Sequence, residues 1–252
     1  MMFASTPAPV NLQRPARSTI GRLLSAVGSV LVPPLCVLCD GPGLPGPIDL
    51  CAACLAELPR VDRDDAFESP AFAHICCPWP YQFPIDALVR ALKFHGERAH
   101  ARLFGTLLAL ERARSTAPLP ALVVPVPLHA LRLRERGYNQ AAELARFAAR
   151  TLALPFDRTL LERRRATREQ SHLHLDARRR NVSGAFIATR TLPGAPRIAL
   201  VDDVITTGST VAAAAAALSA AGAGPIELWA VCHAARRRRG HGRENALQDS
   251  QR

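Results

Sequence analysis

The chain all but lacks lysine: Lys93 is the only one among 252 residues, so arginine supplies 31 of the 32 basic side chains. Alanine and proline are abundant beside it, which marks a compositional bias. The formal net charge of +11 therefore excludes little by itself, although an arginine excess favours anionic partners such as phosphates or nucleic acid. Aromatic residues are also scarce, 5% of the chain against 48% apolar residues in all, so aliphatic side chains must fill the core. Long hydrophobic runs are missing too. The nearest is residues 20–35, which follows Arg14 and Arg17, is interrupted by Arg22 and ends at Pro33-Pro34. It lacks the small-residue cleavage site of a secretory leader and is too short to cross a bilayer. The expectation is a soluble, cytoplasmic chain with no membrane span.

What is present falls into blocks. Residues 1–30 read as disordered, with a short amphipathic helix over 19–32. Residues 31–60 form a small Gly/Pro-rich unit holding four of the seven cysteines, and an acidic linker runs over 55–70. Residues 71–235 carry the main domain, and 236–252 a loose basic tail. Within the domain, strands are expected at 71–81, 121–127, 185–188, 198–203 and 226–233. Helices are expected at 84–93, 99–114, 139–152 and 209–221. Strands alternating with helices of this length imply an α/β fold with a parallel sheet flanked by helices.

The most specific string is Ile198-Ala-Leu-Val-Asp-Asp-Val-Ile-Thr-Thr-Gly-Ser-Thr210. An apolar strand ends in two carboxylates, then a Thr-Thr-Gly turn opens an Ala-rich helix. Backbone N–H groups in a tight turn at a helix N-terminus make an anion pocket, strengthened by the helix dipole. Gly208 lets the backbone approach a ligand closely, and Thr206, Thr207, Ser209 and Thr210 add hydroxyl donors for phosphate oxygens. Asp202 and Asp203 stand where ligands collect in open α/β sheets and can accept from two ribose hydroxyls. A turn-starting Asp and a helix-capping Ser would explain one or two of these residues, not the string.

Cys36-x-x-Cys39 and Cys51-x-x-Cys54, with eleven residues between the pairs, have the spacing of a structural Zn²⁺ site with four thiolates. Metal would supply the stability that so short a segment lacks, and four protein ligands leave no open position for catalysis. A redox pair or buried free thiols are the alternatives, and two knuckles together argue against both. Cys76, Cys77 and Cys232 fall in expected strands and read as core residues.

Several further blocks, in order, give the chain a resemblance to the ComF family, competence-associated proteins of the type I phosphoribosyltransferase superfamily. They are the two cysteine pairs, Ala91-Leu-Lys-Phe-His-Gly96, Val124-Pro-Val-Pro-Leu-His129 and Arg134-Glu-Arg-Gly-Tyr-Asn-Gln140. The region 163–186, with Arg164, Thr167, Gln170, Arg178, Asn181 and Phe186, follows, and Val201 to Thr210 closes the series. The chain departs from the family at Ala177, where Glu is usual, and at Tyr138, where Phe is frequent. The resemblance implies a type I phosphoribosyltransferase fold binding 5-phosphoribosyl-1-pyrophosphate with Mg²⁺. It implies a pyrophosphate loop over 126–136, with Arg132, Arg134 and Arg136, and a mobile basic loop over 163–180 that brings Arg164 and Arg178. Asp202 and Asp203 would be the catalytic carboxylates, Asp203 the better placed for acid–base work. His95, His129 and His172 lie in family blocks with either a structural or a catalytic part. As to role, the resemblance implies DNA uptake in natural transformation, with single-stranded DNA, a competence helicase and a second copy of the chain as partners. Transfer of phosphoribose to a base or amine is the alternative, and a sensor of the sugar diphosphate a third reading. No acceptor pocket can be read from the residues.

Overall fold

The computed structural model describes residues 35–94, 98–164 and 184–234. The expected helix over 19–32 and the tail lie outside the described residues, as do His95, Thr167, Gln170, His172, Arg178 and Asn181. After a short helix α1 (Ala52–Ala56) and a 3-10 turn (Arg63–Asp65), the chain enters β1 (His74–Cys76) and β2 (Trp79–Pro80). Helices α2 (Ile85–Phe94) and α3 (Arg98–Ala113) lead to β3 (Leu122–Pro125), then α4 (Ala130–Arg136) and α5 (Gln140–Leu152). The remainder is β4 (Leu161–Arg163), β5 (Phe186–Ala188), β6 (Ile198–Ile205), α6 (Ser209–Ala220) and β7 (Ile226–His233).

The main sheet runs β1–β7–β6–β3, all parallel, with β2 also paired to β7. Its two middle strands are apolar almost throughout, as burial on both faces requires. Alternate residues point to opposite faces. Ala199, Val201, Trp229 and Val231 meet α2, α3 and α5 on one side, through Ile85, Leu92, Phe104 and Leu144. Leu200, Leu228 and Ala230 meet α6 on the other, through Val211, Ala214 and Leu218. Helices α3 and α5 approach closely because Gly105 has no side chain. A Cβ there would lie 2.6 Å from the Leu144 carbonyl oxygen.

Two expected strands come out differently. The run expected over 71–81 is split, because Pro78 has no N–H to give to the ladder; β1 pairs at Glu227–Trp229 of β7 and β2 at Cys232 and His233. The strand expected near 185–188 is β5, and it pairs antiparallel with β4 in a separate two-stranded sheet packed on α6.

At the amino-terminal end of the sheet sits a buried ion pair. Arg112 of α3 and Glu227 of β7 have fully buried side chains and meet at 2.7 Å. Glu227 Oε2 also accepts from Trp229 Nε1 at 3.0 Å, and Arg112 Nη2 donates to the carbonyls of Ala117 and Pro118 at 3.1 and 2.7 Å. Arg197 adds a longer contact to Glu227 Oε1, 3.5 Å. Burial works against the Glu227 carboxylate, yet the hydrogen bonds from Arg112 and Trp229 prevail and hold it below the usual range.

Candidate functional site

The carboxyl ends of β3, β6, β7 and β2 share the opposite edge. Strand β6 runs past both aspartates to Ile205, so the carboxylates sit inside its last turns of pleat. Asp203 makes no ladder partner between Asp202↔Ala230 and Val204↔Cys232. Instead each carboxylate takes the next amide. Asp203 N–H donates to Asp202 Oδ1 at 2.9 Å, and Val204 N–H to Asp203 Oδ1 at 2.8 Å. Beyond Ile205 the chain turns through Thr206 and Thr207 to Gly208, whose φ of 74° favours glycine, and enters α6. Asp202, Val204 to Val211 and the intervening hydroxyls line a small depression, with Thr207 Oγ1 and Ser209 Oγ 3.0 Å apart. Thus Asp202, Thr206, Thr207, Gly208, Ser209 and Thr210 are brought together.

The two aspartates are not equivalent. Asp203 is not among the residues lining the depression; its Oδ2 pairs with Lys93 Nζ of α2 at 3.1 Å. Burial first, and then the Asp203 carboxylate beside it, push Asp202 up to about 8. Burial opposes the Lys93 ammonium, but the charge of Asp203 holds it above the ordinary lysine value, with Arg136 pressing the other way. Lys93 belongs to a family block, yet nothing in the sequence spacing tied it to Asp203.

Two further residues support the turn from behind. A Cβ on Gly208 would fall 2.4 Å from Phe67 Cζ. The Phe67 ring meets His233 edge-on, with centroids 5.3 Å apart, and His233 Nε2 lies 3.3 Å from the Thr206 carbonyl oxygen. Phe67 was hidden within a stretch that reads as linker.

Among the arginines, Arg134 and Arg136 lie on α4 rather than in an irregular loop. Ala, Leu and Arg are good helix formers, His129 Nδ1 caps the start by accepting from Leu131 N–H, and Gly137 ends the helix at a φ of 75°. Arg136 is half-buried and reaches Gln140 Oε1 at 3.4 Å, whereas Arg134 is exposed. Arg164 is exposed at the end of β4, its N–H donating to the Ala185 carbonyl at 2.9 Å. None of these three lines the depression.

The sulfurs of Cys36, Cys39, Cys51 and Cys54 lie within 4.8 Å of one another, a cluster that could hold a metal ion. Four sulfurs about 2.3 Å from a common zinc would stand about 3.8 Å apart in a tetrahedron; Cys39 and Cys51 are at 3.7 Å. Backbone amides outweigh burial at Cys36 and bring its thiol down to about 6, as a metal ligand needs. The unit is not left to metal alone, contrary to the expectation from its composition. Cys36, Leu50 and Leu58 are buried in the main core, and Asp49 pairs with Arg102 of α3 at 2.6 Å. Cys76 and Cys232 are buried and Cys77 partly so. Burial pushes Cys76 and Cys77 up to about 12, which makes them unreactive.

A parallel sheet covered by helices on both faces, a strand–turn–helix with a hydroxyl-lined depression and two acidic residues at its carboxyl edge, and a four-cysteine unit in front define an α/β protein of the type I phosphoribosyltransferase fold. The DNA utilization protein YhgH of Escherichia coli (strain K12) is 34% identical over 226 residues, covering 80% of this chain and 97% of that protein. Competence protein F of Haemophilus influenzae is 36% identical over 162 residues, covering 61% of this chain and 70% of that protein. The chain belongs to the ComF family of competence and DNA utilization proteins. No family model matches the chain. Among solved structures, the glutamine phosphoribosylpyrophosphate amidotransferase from B. subtilis is 21% identical, covering 50% of this chain and 24% of that chain at a TM-score of 0.34. At that level of superposition the fold assignment rests on the chain's own strand order and loop. No helix among the described residues is long and apolar enough to cross a membrane.

Proposed function

We propose that the chain binds 5-phosphoribosyl-1-pyrophosphate as its Mg²⁺ complex and works, in the cytoplasm, in the use or uptake of DNA. The observation that carries the ligand is the turn at Gly208, where hydroxyls, helix N-terminus and Asp202 line one depression. The 5-phosphate lies on Thr206 to Thr210, and the ribose hydroxyls meet Asp202 and Asp203. Arg134, Arg136 and Arg164 are the arginines offered to the diphosphate, with Arg178, outside the described residues, as a fourth. Mg²⁺ arrives on the ligand and neutralises diphosphate charge. The relatives' names bring the DNA role, and single-stranded DNA, a helicase and a second copy of the chain are the partners it would take. Calorimetry with the Mg²⁺ complex tests the site. Wild type is expected to bind, and Gly208→Ala to lose at least about tenfold, because a Cβ at that φ meets Phe67. Equal binding by the two proteins would overturn the assignment.

A second reading is favoured by Asp202. A carboxyl pushed up to about 8 holds its proton near neutral pH, as an acid–base catalyst needs. In this reading the chain transfers phosphoribose, displacing pyrophosphate through an oxocarbenium-like state, and release of pyrophosphate with a panel of bases and amines is the assay.

The four cysteines fit structural zinc. One zinc per chain is expected by elemental analysis in reducing buffer, and its removal by chelator should lower the melting temperature. A metal-free chain of unchanged stability would remove the zinc.

A further inference from the structure

The only lysine of a chain with 31 arginines stands beside the carboxylate pair of its candidate site, and its partner oxygen is defined. Asp203 Oδ1 already accepts from the Val204 amide at 2.8 Å, so Oδ2 is the oxygen more open to a cation, and each oxygen keeps a further lone pair for a ligand hydroxyl. A guanidinium pairs best in a fork across both carboxylate oxygens, as Arg102 does at Asp49, where Nη2 donates to Oδ1 at 2.6 Å and Nε to Oδ2 at 3.3 Å. At Asp203 the Val204 amide already holds one side of that fork. An ammonium is a compact point charge with three donors, and it fits a single oxygen.

The backbone places this ammonium firmly. The Tyr138 hydroxyl donates to the carbonyl of Leu92, the residue before Lys93, and Asn139 Nδ2 donates to the Val126 carbonyl at 3.0 Å. Helix α2 is thereby tied to the start of α5 and to the end of β3, beside β6. The Lys93 side chain is only 21% exposed and that of Asp203 14%. The pair is thus partly screened from water, between the surface and the buried case.

Two carboxylates on successive residues repel each other unless a cation or a proton sits with them. In many sugar-phosphate sites a divalent ion would answer that need. We propose that Lys93 is a built-in counter-cation of the Asp202–Asp203 pair: it occupies the place of a divalent ion, keeps such ions off the carboxylates and presets Asp203 for the ribose hydroxyls. Lys93 is in this sense a positioning residue, acting through Asp203. The consequence is a division of labour: the ribose half of the site needs no metal, and Mg²⁺ enters only with the diphosphate.

The ribose part of this inference rests on the phosphosugar reading above; the cation part rests on the geometry alone. The experiment uses zinc-loaded full-length protein, wild type and Lys93→Met, with Lys93→Gln as a second variant should the first fold poorly. Folding of each is checked by its melting temperature. Ribose 5-phosphate and inorganic phosphate are titrated by calorimetry with and without Mn²⁺. Wild type is expected to bind ribose 5-phosphate equally well in both conditions. Lys93→Met should lose about tenfold for ribose 5-phosphate while keeping its phosphate affinity, and millimolar Mn²⁺ should restore the loss. Lys93→Arg should not restore it. Unchanged affinity for ribose 5-phosphate in Lys93→Met, or an equal loss for both ligands without a response to Mn²⁺, overturns the proposal.

If wild type binds neither ligand, the phosphosugar reading fails and the cation arm decides alone. Electron paramagnetic resonance then counts Mn²⁺ on ligand-free protein. The soft thiolates, filled with zinc, do not compete for so hard an ion. Lys93→Met should gain one Mn²⁺ that wild type lacks, and the double change with Asp203→Asn should lose it again. Equal Mn²⁺ counts in wild type and Lys93→Met overturn the counter-cation.

Discussion

The sheet carries an ion pair at each end, and the two differ in nearly every respect. Arg112–Glu227, at the amino-terminal end, has no exposed side-chain surface, and Glu227 receives donors from Arg112, Trp229 and Arg197. Lys93–Asp203, at the carboxyl end, is a single contact of 3.1 Å with part of both side chains open to solvent. The first ties helix α3 to β7 and leaves no room for a ligand. The second borders the depression at the Gly208 turn and leaves Asp202 facing into it. The pair inside the fold is fully enclosed, whereas the pair at the depression stays partly open to solvent.

Breaking the first pair has the largest expected effect. Arg112→Met strands a buried carboxylate and should cost about 3–5 kcal/mol in denaturant unfolding, while the remaining folded protein keeps its ligand affinity. A cost below about 1 kcal/mol would mean that Glu227 finds water, and the two ends would then be alike.

The two ends should also respond to pH with opposite signs, an effect smaller at each pH unit and spread over several of them. Glu227 is held below its ordinary value, so its contribution is present above about pH 4.5 and is lost only as pH falls through the lowered value. Asp202 is raised, so its contribution is full below about pH 3.8 and is lost as pH rises toward about 8. Between those limits the folded state holds more protons at Asp202 than the unfolded chain. Stability should therefore decline with pH, by at most about 1.4 kcal/mol per unit. Asp202→Asn should flatten that decline in melting temperatures taken from pH 5 to 8. A slope unchanged by the substitution would assign it to other groups.

The smallest effect is expected at Lys93. Lys93→Met removes a partly screened pair with one contact and should shift unfolding by no more than about 1 kcal/mol, far less than Arg112→Met. A loss as large as that of Arg112→Met would make the carboxyl-end pair structural as well, and erase the contrast.

The comparison also separates what was legible in the sequence from what was not. The strand–turn–helix at Gly208 was legible because its parts are consecutive: strand, carboxylates, Gly208 and helix start follow within a dozen residues. The core strands at β3, β6 and β7 were legible from their unbroken apolar runs. Neither ion pair was. Arg112 and Glu227 are 115 positions apart, and in so arginine-rich a chain no single guanidinium stands out. Lys93 did stand out, but composition cannot say which carboxylate a side chain meets. Helix α4 was missed although its signals were present, because Pro125 and Pro127 drew attention to a loop while His129 and Gly137 bounded a helix. The antiparallel pairing of β5 depends on β4, which lies in a stretch whose basic composition masks its short apolar core.

The two tryptophans give this two-ended molecule an optical side. Trp229 is wholly buried and its indole N–H donates to Glu227, so its emission is coupled to the buried pair. Trp79 is 1% exposed on β2 opposite Cys232, packs against Phe104 with ring centroids 6.0 Å apart, and has no acceptor for its indole N–H among the described residues. One indole is thus hydrogen-bonded to a carboxylate and the other sits in an apolar wall near the carboxyl edge of the sheet. With no other tryptophan in the chain, the native spectrum is the sum of two different environments. Replacing either one by phenylalanine leaves a chain whose colour reports a single end of the sheet.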